Sequence, residues 1–130
     1  MAESSASRVQ HSKERARRSY DLLSGSYDGF TSDEERTHTS AALDMLRLEP
    51  GETVLEIGFG TGEAIVEIAR RTAPGGLVRG IDISSGMLDT AMAKVREEGL
   101  THRVELRLGD GVDLPYDRAE FDAVFMAFTL

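Results

Sequence analysis

The stretch Thr53-Val54-Leu55-Glu56-Ile57-Gly58-Phe59-Gly60-Thr61-Gly62-Glu63 decides the fold. Val54-Leu55-Glu56-Ile57 is a short β-prone run that enters a glycine cluster. Beyond the cluster, Ile65, Ile68, Ala69 and Thr72 fall at helical spacing. A strand, a glycine turn and a helix in that order lead into an α/β sheet, and the turn stands at the carboxyl end of the strand. Glycine there permits positive φ and lets a ligand come within contact distance of the backbone. Alone, the cluster is also what an ordinary tight turn requires, so the flanking residues have to separate the two readings.

Working outward, the same alternation continues. Gly75-Gly76 closes the helix, and Leu77–Ile83 reads as a second strand. Ser84-Ser85 offers caps for a helix with Leu88, Ala91, Met92 and Val95 on its apolar face, ending at Gly99. Residues 103–108 alternate as a third strand, and 121–128 are apolar enough for a fourth strand buried on both faces. Upstream, Ser32 and Glu35 form a capping box for a helix whose apolar face is Ala41, Ala42, Met45 and Leu46, stopped by Pro50-Gly51. Residues 8–23 read as a helix ending near Ser24-Gly25. Right-handed crossovers then predict a doubly wound, mostly parallel α/β sheet in the order 3-2-1-4, counted from the strand before the glycines, with N-terminal helices. Residues 1–30 are expected to form a helical cap segment and 31–130 the ligand-binding unit.

Composition removes several functions. The chain of 130 residues has no cysteine, which excludes disulfides, thiolate metal sites and a cysteine nucleophile. Its three histidines, His11, His38 and His102, are scattered without ligand spacing. No apolar run reaches the roughly 20 residues of a membrane span, and the start lacks a signal-like apolar centre, so a cytoplasmic protein is expected. The net charge is −8. Residues 1–19 carry about +3 of charge, leaving an acidic body unsuited to a phosphate backbone, so nucleic acid is not expected as a partner.

Three carboxylates sort the ligand classes. Counted from Gly58, the third position of the dinucleotide fingerprint is Glu63, where glycine or alanine is wanted, and a carboxylate in the first helical turn opposes a diphosphate. Asp82 stands twenty residues after Gly62 at a strand end, the place for an acceptor of two ribose hydrogen bonds; the plainer role is a cap for the next helix. Gly109-Asp110-Gly111 follows the third strand, either as a simple turn or with Asp110 accepting from an adenine amine.

These motifs together resemble those of the Rossmann-like (class I) S-adenosylmethionine-dependent methyltransferases, notably the ubiquinone- and menaquinone-biosynthesis type. Glu56-Ile57-Gly58-Phe59-Gly60-Thr61-Gly62 is similar to the first family motif, an acid two residues before G-x-G-x-G. The resemblance implies that the backbone of Gly58, Phe59, Gly60 and Gly62 holds the methionine part of the cofactor, with Glu56 assisting at its ammonium. Phe59 stands where many members have a small residue or cysteine, and no chemistry is read into its side chain. Gly80–Leu88 is similar to the second motif, which puts Asp82 on the ribose, Ile83 beside it and Met87 against the adenine; a core role for Met87 weighs equally. Asp110 and Gly111 match the third motif at the adenine. Tyr20-Asp21 and Tyr27-Asp28 resemble a segment that folds over the site, with Tyr27 the preferred contact and a packed edge tyrosine the alternative.

The resemblance covers about residues 20–130, and family members continue past a fourth strand. The edge of that strand is expected to be covered either by the rest of a longer protein or by a partner chain, including a second copy. No catalytic residue is assigned: Phe128 and Thr129 stand at the strand end and neither is a convincing base. The implied activity is methyl transfer to a small molecule, by this chain or by a longer protein whose cofactor-binding portion it is. The alternatives are a nicotinamide-dependent oxidoreductase, which a missing Tyr-x-x-x-Lys pair also opposes, and a non-catalytic S-adenosylmethionine-binding module.

Overall fold

A computed structural model describes residues 18–23 and 32–128 of the chain. Five strands form one parallel sheet: β1 (Arg18–Leu23), β2 (Thr53–Ile57), β3 (Leu77–Asp82), β4 (Val104–Leu108) and β5 (Ala123–Phe128), in the order β1-β5-β2-β3-β4. Counted from the strand before the glycines, β4-β3-β2-β5 is the expected 3-2-1-4. Three helices join them: α1 (Ser32–Asp44), α2 (Glu63–Arg71) and α3 (Ser85–Glu97).

One expectation fails. The helix read over residues 8–23 is, in its described part, the strand β1, which pairs in parallel with β5 from Arg18↔Ala123 to Leu23↔Phe128. β1, from the segment expected as a cap, thus pairs with β5 of the unit expected over 31–130. Helical propensity is a weak prior, whereas the open edge of an apolar strand presents a row of unpaired N–H and C=O groups. Pairing that row decides the conformation of residues 18–23. Over these residues the edge of β5 is covered by the chain's own β1.

Alternation along the strands sorts the two faces. Val54 and Glu56 of β2, Val78 and Gly80 of β3, and Ala123 and Phe125 of β5 lie on the side that receives α1, α2 and α3, where Leu43, Leu46, Ile65, Ile68, Ala91 and Val95 complete the core. Leu55 and Val124 face the other side and are covered by the 109–122 connection through Leu114, Tyr116 and Phe121. Ala42 and Leu43 of α1 are buried, as is Leu46 just beyond the helix, while Met45, expected on the apolar face, is exposed. In α3, Met92 is likewise partly exposed, and Ala91 and Val95 are the buried pair.

The helices end as their sequences direct. Ser84 caps α3 by accepting from the Met87 N–H at 3.2 Å. In α2, Glu63 lies at the positive end of the helix dipole and Arg70 and Arg71 at the negative end. Arg103 is buried and donates to the Ala69 and Gly76 carbonyls at 2.7 Å each, tying the end of α2 to the start of β4.

Gly80 is required by close approach. A Cβ there would lie 2.8 Å from Phe59 Cδ2, 2.9 Å from Leu106 Cδ2 and 3.0 Å from Ile65 Cδ1. The large side chain in the glycine loop is accommodated because the strand beneath it has none. Gly80→Ala is expected to destabilise the fold by about 1–3 kcal/mol through overpacking, and Phe59→Leu in the same chain to restore part of that loss. Urea midpoints of the parent and the two variants check it; a Gly80→Ala chain as stable as the parent refutes the packing argument.

Candidate cofactor site

The winding reverses between β2 and β5, the kind of switch at whose strand carboxyl ends open α/β sheets bind ligands. Backbone hydrogen bonds draw the loops at those ends together. The Gly58 N–H donates to the Ile81 carbonyl at 2.7 Å, and the Gly109 N–H donates to the Asp82 carbonyl at 3.0 Å. A Cβ on Gly111 would come 2.6 Å from Ile57 Cγ2, so the loop after β4 rests directly on the end of β2. The three motifs that lie far apart in the chain thus share one corner.

Within that corner the glycine loop runs through positive φ at Gly58 (81°), Gly60 (58°) and Gly62 (94°). A Cβ built on Gly60 meets nothing within 4 Å. The backbone of Gly60 is therefore bare on its outer side, as a ligand's close approach requires. Phe59 is different. Its side chain is buried in the core against Gly80 and Ile65, so it contributes to the site only through its backbone.

Asp82 has more to do than sequence reasoning gave it. One carboxylate oxygen accepts from the Gly60 N–H at 2.8 Å and the other from the Ser84 N–H at 3.0 Å. It locks the glycine loop to the end of β3 and also braces the entry to α3. The plain capping role belongs to Ser84, and an ionised carboxylate such as Asp82 has further acceptor sites beyond these two hydrogen bonds. The signal was the spacing, but only the fold shows that the second acceptor oxygen is aimed at the loop.

Glu56 is the most unusual group in the molecule. It is 1% exposed, and its Oε1 has no hydrogen-bond partner among the described residues. Its register partners are Gly80 on β3 and Phe125 on β5, neither of which offers a side-chain donor. Burial first, and the Asp82 carboxylate second, push the Glu56 carboxyl well above its ordinary range.

Around this centre the residues that follow β3 and β4 are largely exposed. Ile83 is 78% exposed immediately after Asp82, and Met87, expected either in the core or on a ligand, is 39% exposed in the first turn of α3. Asp110 is exposed and takes the Val112 N–H at 2.9 Å, so part of its carboxylate closes the Asp110–Asp113 turn. Val112 stands 92% exposed on the same rim. Tyr27 lies outside the described residues, as does Thr129. Among the described residues no group of histidines and carboxylates could hold a metal ion.

Glu63 corrects the charge argument against a diphosphate. Arg36 Nε donates to one of its oxygens at 2.7 Å and Lys94 Nζ to the other at 3.2 Å. The Arg36 hydrogen bond, opposed by partial burial and joined by Lys94, holds its carboxyl below the ordinary value. The negative charge is thus matched by two cations from α1 and α3, and does not by itself repel an anion. A groove of about 370 Å³ follows these ion pairs between the three helices, lined by Arg36, Thr39, Glu63, Glu67, Arg70 and Lys94 among others. It lies over the helices, whereas Gly60 and Asp82 stand at the strand ends.

Residues 54–130 match the family model described as methyltransferase domain. The chain belongs to this methyltransferase family. It is 37% identical over 105 residues to nocamycin O-methyltransferase of Saccharothrix syringae, covering 81% of this chain and 37% of that protein. To demethylmenaquinone methyltransferase of Porphyromonas gingivalis it is 33% identical over 115 residues, 85% of this chain and 47% of the relative. Among solved structures, a SAM dependent methyltransferase from Aquifex aeolicus superposes with a TM-score of 0.62 at 30% identity, over 69% of this chain and 47% of that one. The chain thus spans less than half the length of each of these three proteins.

Proposed function

We propose that this chain is the S-adenosylmethionine-binding portion of a methyltransferase acting on a small molecule. One observation carries the proposal: Asp82, which anchors the Gly60 amide, stands beside a buried Glu56 whose Oε1 lacks any donor. An acceptor for ribose hydroxyls and an unsatisfied acid suited to an ammonium are therefore held by one loop. The acceptors in the names of the two curated relatives, nocamycin and demethylmenaquinone, are small molecules, which supports the substrate class.

The residues present fit this cofactor. The orphaned Glu56 oxygen needs a cationic donor, and the bare face of Gly60 leaves room for the methionine portion against the backbone. Asp82 would hold the ribose, with Ile83, Met87, Asp110 and Gly111 flanking the adenine and Tyr27 closing over it. Bound S-adenosylmethionine supplies an electrophilic methyl group; this chain's residues hold it in place and keep one side of it dry. The methyl acceptor approaches from the open switch between β2 and β5. We place the protein in the cytoplasm; no helix of the described residues is long and apolar enough to cross a membrane. A copy of the chain, or further sequence, would complete the acceptor side.

Calorimetry with S-adenosylmethionine, S-adenosylhomocysteine and NAD tests the reading. Binding of the first two and indifference to NAD is expected. Tight NAD binding with no response to the others would establish the oxidoreductase reading instead, which the pairing of Glu63 leaves electrostatically open. Activity of the chain toward a panel of acceptors then separates an enzyme from a module that binds the cofactor only.

A further inference from the structure

We propose that Glu56 carries a proton in the ligand-free protein and surrenders it to solvent when an ammonium-bearing cofactor binds. The inference rests on the proposed cofactor site and adds to it a proton balance. The buried acid exchanges one positive charge for another: the neutral carboxyl and the ligand's ammonium become a carboxylate–ammonium pair, and one proton leaves.

The geometry separates the two carboxyls. Asp82 accepts a backbone N–H on each oxygen, from Gly60 and from Ser84. Glu56 Oε1 accepts none and is enclosed by β3 and β5. A carboxylate buried without a donor costs several kcal/mol and neutralises instead, so of two adjacent acids the proton resides on Glu56. Burial and Asp82 push its carboxyl in that same direction. Among the described residues, its neighbours on the flanking strands bring no cation. On β3 they are Gly80 and Asp82, and on β5 Phe125. On the helices above, Glu63 of α2 and Lys94 of α3 are bound to each other. Arriving as a cation with N–H donors, an ammonium supplies both things that the ionised form lacks.

Two consequences follow. Below the folded-state titration of Glu56, affinity for an ammonium-bearing ligand falls as the solution is acidified, by up to about tenfold per pH unit for one linked proton. The ligand-free protein shows the opposite sign. Because the folded carboxyl titrates above its unfolded value, its stability contribution is complete in acid and is lost as pH rises through the folded value.

S-Adenosylhomocysteine titrated into the chain by calorimetry, in buffers of differing ionisation enthalpy at one near-neutral pH, reads the released protons directly. Close to one proton per ligand is expected for the parent chain, and close to none for Glu56→Gln. Binding of 5′-methylthioadenosine, which lacks the amino-acid portion, is expected to release none. Any contribution from the ligand's own amine persists in the Glu56→Gln chain and is subtracted with it. In the same variant, the loss of ligand-free stability with rising pH seen in the parent is expected to disappear. If S-adenosylhomocysteine binds without proton release, or the two chains' stabilities run parallel with pH, the inference is overturned and the cofactor site stands. If it does not bind, the site assignment itself fails.

Discussion

Asp82→Ala is expected to weaken S-adenosylhomocysteine binding by about 3 kcal/mol, roughly a hundredfold, the upper end for hydrogen bonds to a charged group. The reason is that two functions are lost together. A ligand loses its acceptor for the ribose, and the Gly60 N–H loses the carboxylate that fixes it to β3 at 2.8 Å. Asp82→Asn keeps one oxygen acceptor and is expected to fall between parent and alanine. Calorimetry gives the affinities, and amide hydrogen exchange at Gly60 gives the state of the loop. Faster exchange at Gly60 in the alanine chain, with circular dichroism unchanged, shows that the carboxylate was positioning the loop. Binding at parental affinity in a folded Asp82→Ala chain removes both assignments.

Gly60→Val is expected to abolish binding while the sheet and helices persist. At φ 58° a β-branched residue is strained, by about 1–3 kcal/mol. Space is available for the side chain, since nothing lies within 4 Å of a Cβ there. That same space is where a ligand meets the backbone, so the valine occupies the ligand's place. Gly60→Asn separates the two effects, because asparagine tolerates positive φ yet fills the same volume. Both variants are expected to lose S-adenosylhomocysteine binding by more than about tenfold, a difference of roughly 1.4 kcal/mol. Parental affinity in Gly60→Asn shows that strain rather than blocked approach explains the valine.

The order of β2, α2, β3, α3 and β4 was legible because each element carries its own period and stop signal. Gly75-Gly76, Ser84 and Gly99 are local devices, and local devices survive in a one-dimensional reading. The N-terminal strand was not legible. Residues 18–23 have no strong period, and what makes them a strand is the open edge of β5, more than a hundred residues away in the chain. The buried faces of α1 and α3 were off by single positions for a related reason. Met45 and Met92 fit a helical stripe, but packing on the sheet buries Leu43 beside Ala42 and leaves both methionines exposed, while Ala91 and Val95 are buried as expected.

The site divides in the same way. Residue type and spacing alone determined that Glu56, the glycines, Asp82 and Asp110 stand at strand ends, since each closes a β-run or follows one. They could not show that Asp82 grips the Gly60 amide, that Phe59 turns into the core over Gly80, or that Glu63 is matched by Arg36 and Lys94. Those are contacts between segments brought together by the crossovers, and no local pattern encodes a partner's distance. Burial is the clearest case. The resemblance implies a binding role for an acid two residues before the glycine cluster, but the state of its carboxyl depends on what encloses it. Only the packed sheet, with β3 and β5 on either side and the helices above, leaves Glu56 Oε1 without a donor among the described residues.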